Sequence, residues 1–590
     1  MDAHIPATEC SAPGKNEKTS PAQPPSLASR ARKISGLTLG SRVLGFVRWM
    51  VQASMVGSGT VAGAYATANQ IPNVLYEVVV GGALAGAVVP MLSSAVHAGH
   101  KDEVEQTSRA LFTIVLVVLV PIALAVFLGA GAIAHLFPVS EGVDPHLQRS
   151  LVASFLRMFA IQIPLYGIGV VMTGILHSHE RFILPAITPI ASSLVVMVTY
   201  AMYGALTHSV GGAASNTAMP SQQALEVLGW GTTIGVAALS LPLVIPVKRL
   251  GIRLLPQWGM DREVARRGLH VAGAGVWALM AQQVCVVVLI GLTRHGGATG
   301  TVAVYQYTQA VYMLPYAVAV IPLATVVYPY LARQAQVPER CEFHNKVTAT
   351  ISLIVVASMA GAIALSVGAP AAWKVFSLLA PVPGMDHALV AFAPGLVGLA
   401  LIYHATRVLY CAGNPASAAV MTSLGWLMVP ILAWFLIAGP GQDINLGTLF
   451  ACDAHAFDYS AGARTLVALG LATSGGMIVA GLAMMAAVAK VCGLQVVIAP
   501  LRVFLVGALI SIPTVFLLRP LTLTFVERYN PLIGIVLTAV IALVAAALLV
   551  AIIFVGDKKI TRPEHRWSAA LPSTAHVGSS SCGRLGPECE

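Results

Sequence analysis

Two arginines stand six residues apart inside a hydrophobic segment, in the run Ser41-Arg42-Val43-Leu44-Gly45-Phe46-Val47-Arg48. A guanidinium at mid-bilayer costs roughly 2.5 to 3.5 kcal/mol on insertion scales. A membrane helix that keeps two of them is expected to face a wet cavity with something anionic to bind. The planar fork of each guanidinium matches the paired oxygens of a phosphate or carboxylate. On an α-helix the two lie about 9 Å apart along the axis and about 120° apart around it, so a wide cavity sees both and a narrow helix interface does not. The competing reading is that one of them snorkels or closes a structural ion pair. The chemistry implied is the binding of an anionic substrate by a polytopic transporter.

The elements that position these residues follow from composition. Hydrophobic residues make up 57% of the 590 and charged residues 10%, and the mean hydropathy is +0.80, which excludes a soluble globular chain. About 14 stretches long enough to span a bilayer recur between Ile34 and Val555. Lysine and arginine are retained on the cytoplasmic side. Lys15, Lys18, Arg30, Arg32 and Lys33 precede the first span, Lys248, Arg249, Arg253, Arg262, Arg266 and Arg267 link spans six and seven, and Lys558, Lys559, Arg562 and Arg566 follow the last. Residues 208–222 and 440–463 carry no lysine or arginine until Arg464. Both termini are therefore expected in the cytoplasm. The net charge of +10 reads as a topology signal, with no nucleic-acid binding implied.

A repeat is visible at an offset near 240 residues. Ala68-Asn69-Gln70-Ile71-Pro72-Asn73, running on to Pro90, is echoed by Val311-Tyr312-Met313-Leu314-Pro315, running on to Pro329. The pattern predicts an all-α polytopic protein: two six-helix bundles around a central cleft, related about an axis near the membrane normal, plus two appended helices. The expected boundaries are a disordered cytoplasmic tail over 1–33, bundles over 34–249 and 268–491 joined by a cytoplasmic linker at 250–267, two additional transmembrane helices over 492–556, and a tail over 557–590. Pro72, Pro90, Pro315 and Pro329, with Gly81, Gly82 and Gly86, soften the second and eighth spans so that they can bend.

Other polar residues divide between cavity and packing. Counted from the external helix ends, Arg42 lies about 21 Å deep and Glu77 about 22 Å deep. Glu77 either pairs with Arg42 in the empty cleft and yields to the anion, or forms a static salt bridge. Gln70, Asn73 and Gln309 either line the cavity or satisfy one another between helices. His404 and Arg407 are assigned to the cytoplasmic interface, and His177, His179, Glu180 and Arg181 to a solvated inner loop. The eight cysteines show no metal-type or disulfide spacing, and no phosphate loop, nucleophile elbow or His-Glu-x-x-His helix is present. No cofactor or enzyme activity is expected.

The run SRVLGFVR, the small-residue link at 57–59, ANQIPN leading into GGALAGAVVP, Arg181-Phe182 with Pro185-Ala186, and YQYTQAVYMLP with YPYLARQ resemble the MurJ family of lipid II flippases in the MOP exporter superfamily, most of all its actinobacterial branch. The resemblance implies movement of an undecaprenyl-diphosphate-linked peptidoglycan precursor between leaflets, with the diphosphate gripped by Arg42 and Arg48. Substrate contacts at Gln70, Asn73, Glu77 and Gln309, membrane lipids and cell-wall synthesis proteins as partners, and coupling to an ion or the membrane potential complete the expectation. The chain departs from the family pattern at Trp49, at Gly63, at Tyr76 and Glu77, and at about Ala310, where charged residues are usual, so its cationic lining is thinner. Spans seven and eleven hold no aspartate, glutamate or asparagine, which argues against sodium coupling. The rivals are a multidrug exporter of the same superfamily, a flippase for another polyprenyl-linked glycan, and a non-transporting cell-wall scaffold.

Overall fold

A computed structural model of the chain describes residues 27–78, 85–140, 142–208, 220–253, 255–257, 259, 262–335, 340–450, 458 and 460–556. Among these the architecture is helical, without strands. The first lobe contains α1 (Leu27–Met55), α2 (Thr60–Leu75), α3 (Ala85–Ala98), α4 (Lys101–Leu128), α5 (Ala130–Leu136), α6 (Pro145–Phe159), α7 (Gln162–Ser178), α8 (Ile183–His208), α9 (Gln222–Ser240) and α10 (Val244–Arg249). The second contains α11 (Arg262–Gly296), α12 (Thr301–Pro315), α13 (Ile321–Gln334), α14 (Arg340–Ser377), α15 (Met385–Phe392), α16 (Gly395–Cys411), α17 (Pro415–Ile437) and α18 (Ala461–Cys492). Two last helices, α19 (Gln495–Arg528) and α20 (Pro531–Gly556), pack on α14 and on each other.

Helix starts follow from local chemistry. Asp144 accepts a hydrogen bond from the His146 amide with Pro145 in the first turn, and Ser221, Asn414 and Ser460 cap α9, α17 and α18 in the same way. Among the described residues, eleven helices are long and apolar enough to cross a bilayer, or twelve counting the bent pair α15–α16. The remaining two of the expected 14 fall on α1, which is diluted by its polar residues, and on α2 and α3, which are separated by residues outside the description. Helix α1 starts at Leu27 and α11 at Arg262, so residues 27–33 and 262–267, expected in the tail and linker, are helical. Alanine, leucine, lysine and arginine are strong helix formers, and their charges let a span run on into water. Residues 1–26, 451–457 and 557–590, and Gly81 and Gly82, lie outside the described residues.

The two lobes carry the same bend. After Pro72 the chain forms a π turn at 76–78, and after Pro315 another at Tyr316–Val320, an offset matching the sequence repeat. Proline lacks an N–H, which frees a carbonyl one turn back and favours a local widening of the ladder. The first residue of each turn packs its ring against a tyrosine of its own lobe. Tyr76 meets Tyr166 with ring centroids 4.6 Å apart, and Tyr316 meets Tyr403 at 5.5 Å.

The lobes touch firmly at one end. The Ser58 hydroxyl donates to the Pro381 carbonyl at 2.6 Å and the Tyr307 hydroxyl to the Gly57 carbonyl at 2.7 Å. Phe46 and Trp49 of α1 meet Phe376 and Tyr307 edge-on at 6.3 and 6.2 Å, while Tyr307 stacks on Phe376 at 5.7 Å. A cavity of about 470 Å³, lined by Ser54, Ser58, Thr299, Pro381 and Ser460 among others, lies within this closed end. Gly300 makes the approach possible. Its φ is +78°, and a Cβ there would stand 1.5 Å from the Ser58 carbonyl oxygen.

Gly300→Ala is therefore expected to cost about 2–4 kcal/mol, from the left-handed backbone and the clash together. A lowered Tm of the purified protein should accompany faster labelling of Thr299→Cys at this end. An unchanged Tm with unchanged labelling would show that the contact does not hold the lobes.

Candidate functional site

On α1, Arg42 lies below the aromatic seam and Arg48 at its level, and the two face different walls, as their angular separation requires. Arg42 is exposed. Its charge reaches the hydroxyl of Tyr316 in the second lobe, which also feels Arg407. The Arg407 guanidinium lies 3.6 Å from the centre of the Tyr403 ring and donates to the Tyr403 carbonyl at 2.8 Å. Through Tyr403, the Arg407 guanidinium is packed beside the tyrosine at the second π turn.

Arg48 is half-buried and turned to the first lobe. It sits 5.5 Å from the centre of the Trp49 ring, its Nε lacks a hydrogen-bond partner, and its charge reaches the hydroxyls of Tyr65, Tyr166 and Tyr200. Tyr65 bonds Tyr200 and Thr232 at 3.0 Å each, and Tyr200 donates to Gln52 at 3.1 Å. This wall is polar but uncharged. Hydroxyl dipoles ease the burial of a cation without neutralising it, so positive charge remains for a ligand. Neither Arg42 nor Arg48 has an ion-pair partner among the described residues.

The other expected site residues separate into two groups. Asn73 accepts from the Tyr166 hydroxyl at 3.1 Å, which places it beside the Arg48 wall. Gln70 meets Gln306 of the second lobe at 3.5 Å, so this amide pair bridges α2 and α12. Gln309 donates to Tyr305 of its own helix at 2.7 Å, and Tyr305 is buried near Phe392. Amide-to-amide and amide-to-phenol bonding satisfies both glutamines within protein. Glu77 stands half-buried in the first π turn, and the expected pair with Arg42 is not formed in this conformation. The extra residue in a π turn re-aims every side chain beyond Leu75 relative to straight-helix counting. His404, expected at the interface, is buried and bonds Thr350 at 3.1 Å.

Sequence reasoning missed three features. Arg407, read as interfacial, is half-buried with its guanidinium on the Tyr403 ring. Arg294, in the last turn of α11, is 1% exposed and donates to Thr67 at 3.3 Å. Its position near a span end disguised an intramembrane charge as a flanking one. Asp386, His387 and Arg519 form a third, buried cluster, with Asp386 3.0 Å from the His387 ring and 3.3 Å from Arg519. Two of these residues lie 133 positions apart, and no local pattern pairs them.

The fold has known counterparts. The structure is similar to that of a lipid II flippase MurJ in an inward closed conformation, with a TM-score of 0.66 at 17% identity, covering 90% of this chain and 99% of that one. It is also similar to an inward-facing multidrug resistance MATE family transporter of the MOP superfamily, with a TM-score of 0.59 at 12% identity, covering 80% and 98%. In sequence, a probable lipid II flippase MurJ of Rhizobium meliloti (strain 1021) is 26% identical over 235 residues, 39% of this chain and 41% of the relative. The matched region thus spans about two fifths of that curated relative's length. The profile described as lipid II flippase MurJ matches residues 52–449, over half of the sequence, and with α1, the two lobes and the cationic cleft in place the chain belongs to the MurJ family.

Proposed function

We propose that this protein moves lipid II, an undecaprenyl diphosphate carrying a disaccharide pentapeptide, from the inner to the outer leaflet by alternating access. The observation that carries the reading is the pair of guanidiniums on α1, without carboxylate partners, beneath an end where the lobes are sealed. A diphosphate offers each of them paired oxygens, and charge-assisted bonds of this kind are about twice as strong as neutral ones. The basic residues flanking α1 and α11 support cytoplasmic termini, so the sealed end is external and the arginines await substrate from within. The domain division into two six-helix bundles and an appended pair belongs to the same reading. Lipid II enters from the surrounding membrane, the membrane potential or an ion drives the return, and cell-wall synthesis proteins are the natural consumers of the product. The name of the Rhizobium meliloti relative supports the substrate class, and the MATE-like fold supports movement of the lobes about a central cleft.

Loss of one charge-assisted contact is worth about 1.5–3 kcal/mol, or about 10- to 100-fold. Arg42→Ala and Arg48→Ala are each expected to lower lipid II flipping by that factor in a strain depleted of its own flippase, with the protein still present in the membrane. Full rescue by either variant would remove that arginine from substrate binding.

Glu77 has no cationic partner here, so a contact with Arg42 belongs to another state of the cycle. Glu77→Gln should leave protein level and Tm unchanged and slow flipping severalfold. Equal flipping by the variant and its parent would take Glu77 out of the mechanism.

A further inference from the structure

Arg294 is the most deeply buried cation among the described residues, and it joins the two lobes. It leaves the last turn of α11 in the second lobe and enters the first, where Nη1 donates to Thr67 of α2 and the guanidinium faces Phe137 at 6.0 Å. Nε has no hydrogen-bond partner, and no carboxylate pairs with the group among the described residues. Thr67 is itself committed, donating to the Gly63 carbonyl at 2.8 Å. A buried charge held by one hydroxyl and one ring is under-solvated, because desolvation is repaid only by counter-charge or a full set of hydrogen bonds.

The position of Arg294 gives that imbalance a direction. Measured from the sealed-end terminus of each helix at 1.5 Å per residue, Arg42 lies about 20 Å down, Arg48 about 10 Å and Arg294 about 3 Å. The three guanidiniums form a ladder that rises towards the seal. Parting of the lobes at the seal must draw Arg294 away from Thr67 and Phe137, since they belong to opposite lobes. The group then regains water and becomes available to an anion.

We infer that Arg294 is a second phosphate-binding station, covered while the outer end is closed and uncovered when it opens, which receives the substrate's diphosphate from Arg42 and Arg48. This rests on the diphosphate reading proposed above. A ligand favours the state to which it binds more tightly, so a diphosphate bound at Arg294 holds the outer end open.

The test uses the full chain in lipid nanodiscs, with the eight native cysteines replaced by alanine and Ala298→Cys as reporter in the loop beside the seal. Labelling by an impermeant maleimide is followed with and without farnesyl diphosphate. In the parent the diphosphate should raise the labelling rate severalfold. In Arg294→Gln and in the apolar Arg294→Met, the diphosphate concentration needed should rise about tenfold or more, a loss of roughly one charge-assisted contact, with Arg294→Lys between. Arg294→Met removes the buried charge and should fold at least as well as the parent. Variants that open more readily without ligand but keep the parent's diphosphate response would make Arg294 a latch only and overturn the proposal. A parent that does not respond, with Arg42→Ala behaving identically, would overturn the diphosphate reading and this inference together.

Discussion

A guanidinium cannot be left in hydrocarbon without a partner, and that constraint organises this molecule. Among the described residues Arg42 and Arg48 lack carboxylate partners, so their positions are tolerable only beside water or oriented dipoles. Arg42 is exposed, and Arg48 is flanked by the hydroxyls of Tyr65, Tyr166 and Tyr200. Arg48 sits between Phe46 and Trp49 on α1, whose rings meet Phe376 and Tyr307 and close the gap between lobes. The inner charge, Arg42, lies below this seam, and Arg48 lies at its level.

Movement across that seam needs elements that bend at fixed places, and the sequence supplies them twice. Pro72 and Pro315 each precede a π turn, and each turn presents a tyrosine to its own lobe. A widened turn has weaker hydrogen bonds than the helix around it, so bending concentrates there and the long segments on either side move as rods. The buried Asp386–Arg519 pair plays the opposite part. It fixes α19 to the start of α15, and breaking one partner of a buried pair is far costlier than exposing a surface charge.

The sequence made the helical class, most spans and the two arginines without carboxylate partners on α1 legible because each rests on a local rule: length of apolar run, charge bias of loops, cost of intramembrane charge. The repeat was legible for the same reason, as proline and its neighbours recur in order. Partnerships were not. Gln70 and Gln309 look alike in the sequence, yet Gln70 bridges the lobes and Gln309 turns back to Tyr305. Glu77 looked level with Arg42 by straight-helix counting, and one π turn was enough to undo the register. Arg294 and Arg519 both sit where a flanking charge would be unremarkable, and only packing from distant segments shows that each is buried.

The kinship of this fold with MATE transporters shows what a shared scaffold leaves open. Two lobes and a central cleft permit alternating access for any cargo that fits. A cation exporter would want carboxylates facing the cleft, whereas among the described residues neither Arg42 nor Arg48 has a carboxylate partner and Glu77 pairs with neither. Unneutralised positive charge in a region of low dielectric repels a cationic drug and attracts a phosphate over the same distance. On the function proposed above, charge sign on the wall, set by single residues on otherwise interchangeable helices, is what would separate the two cargoes.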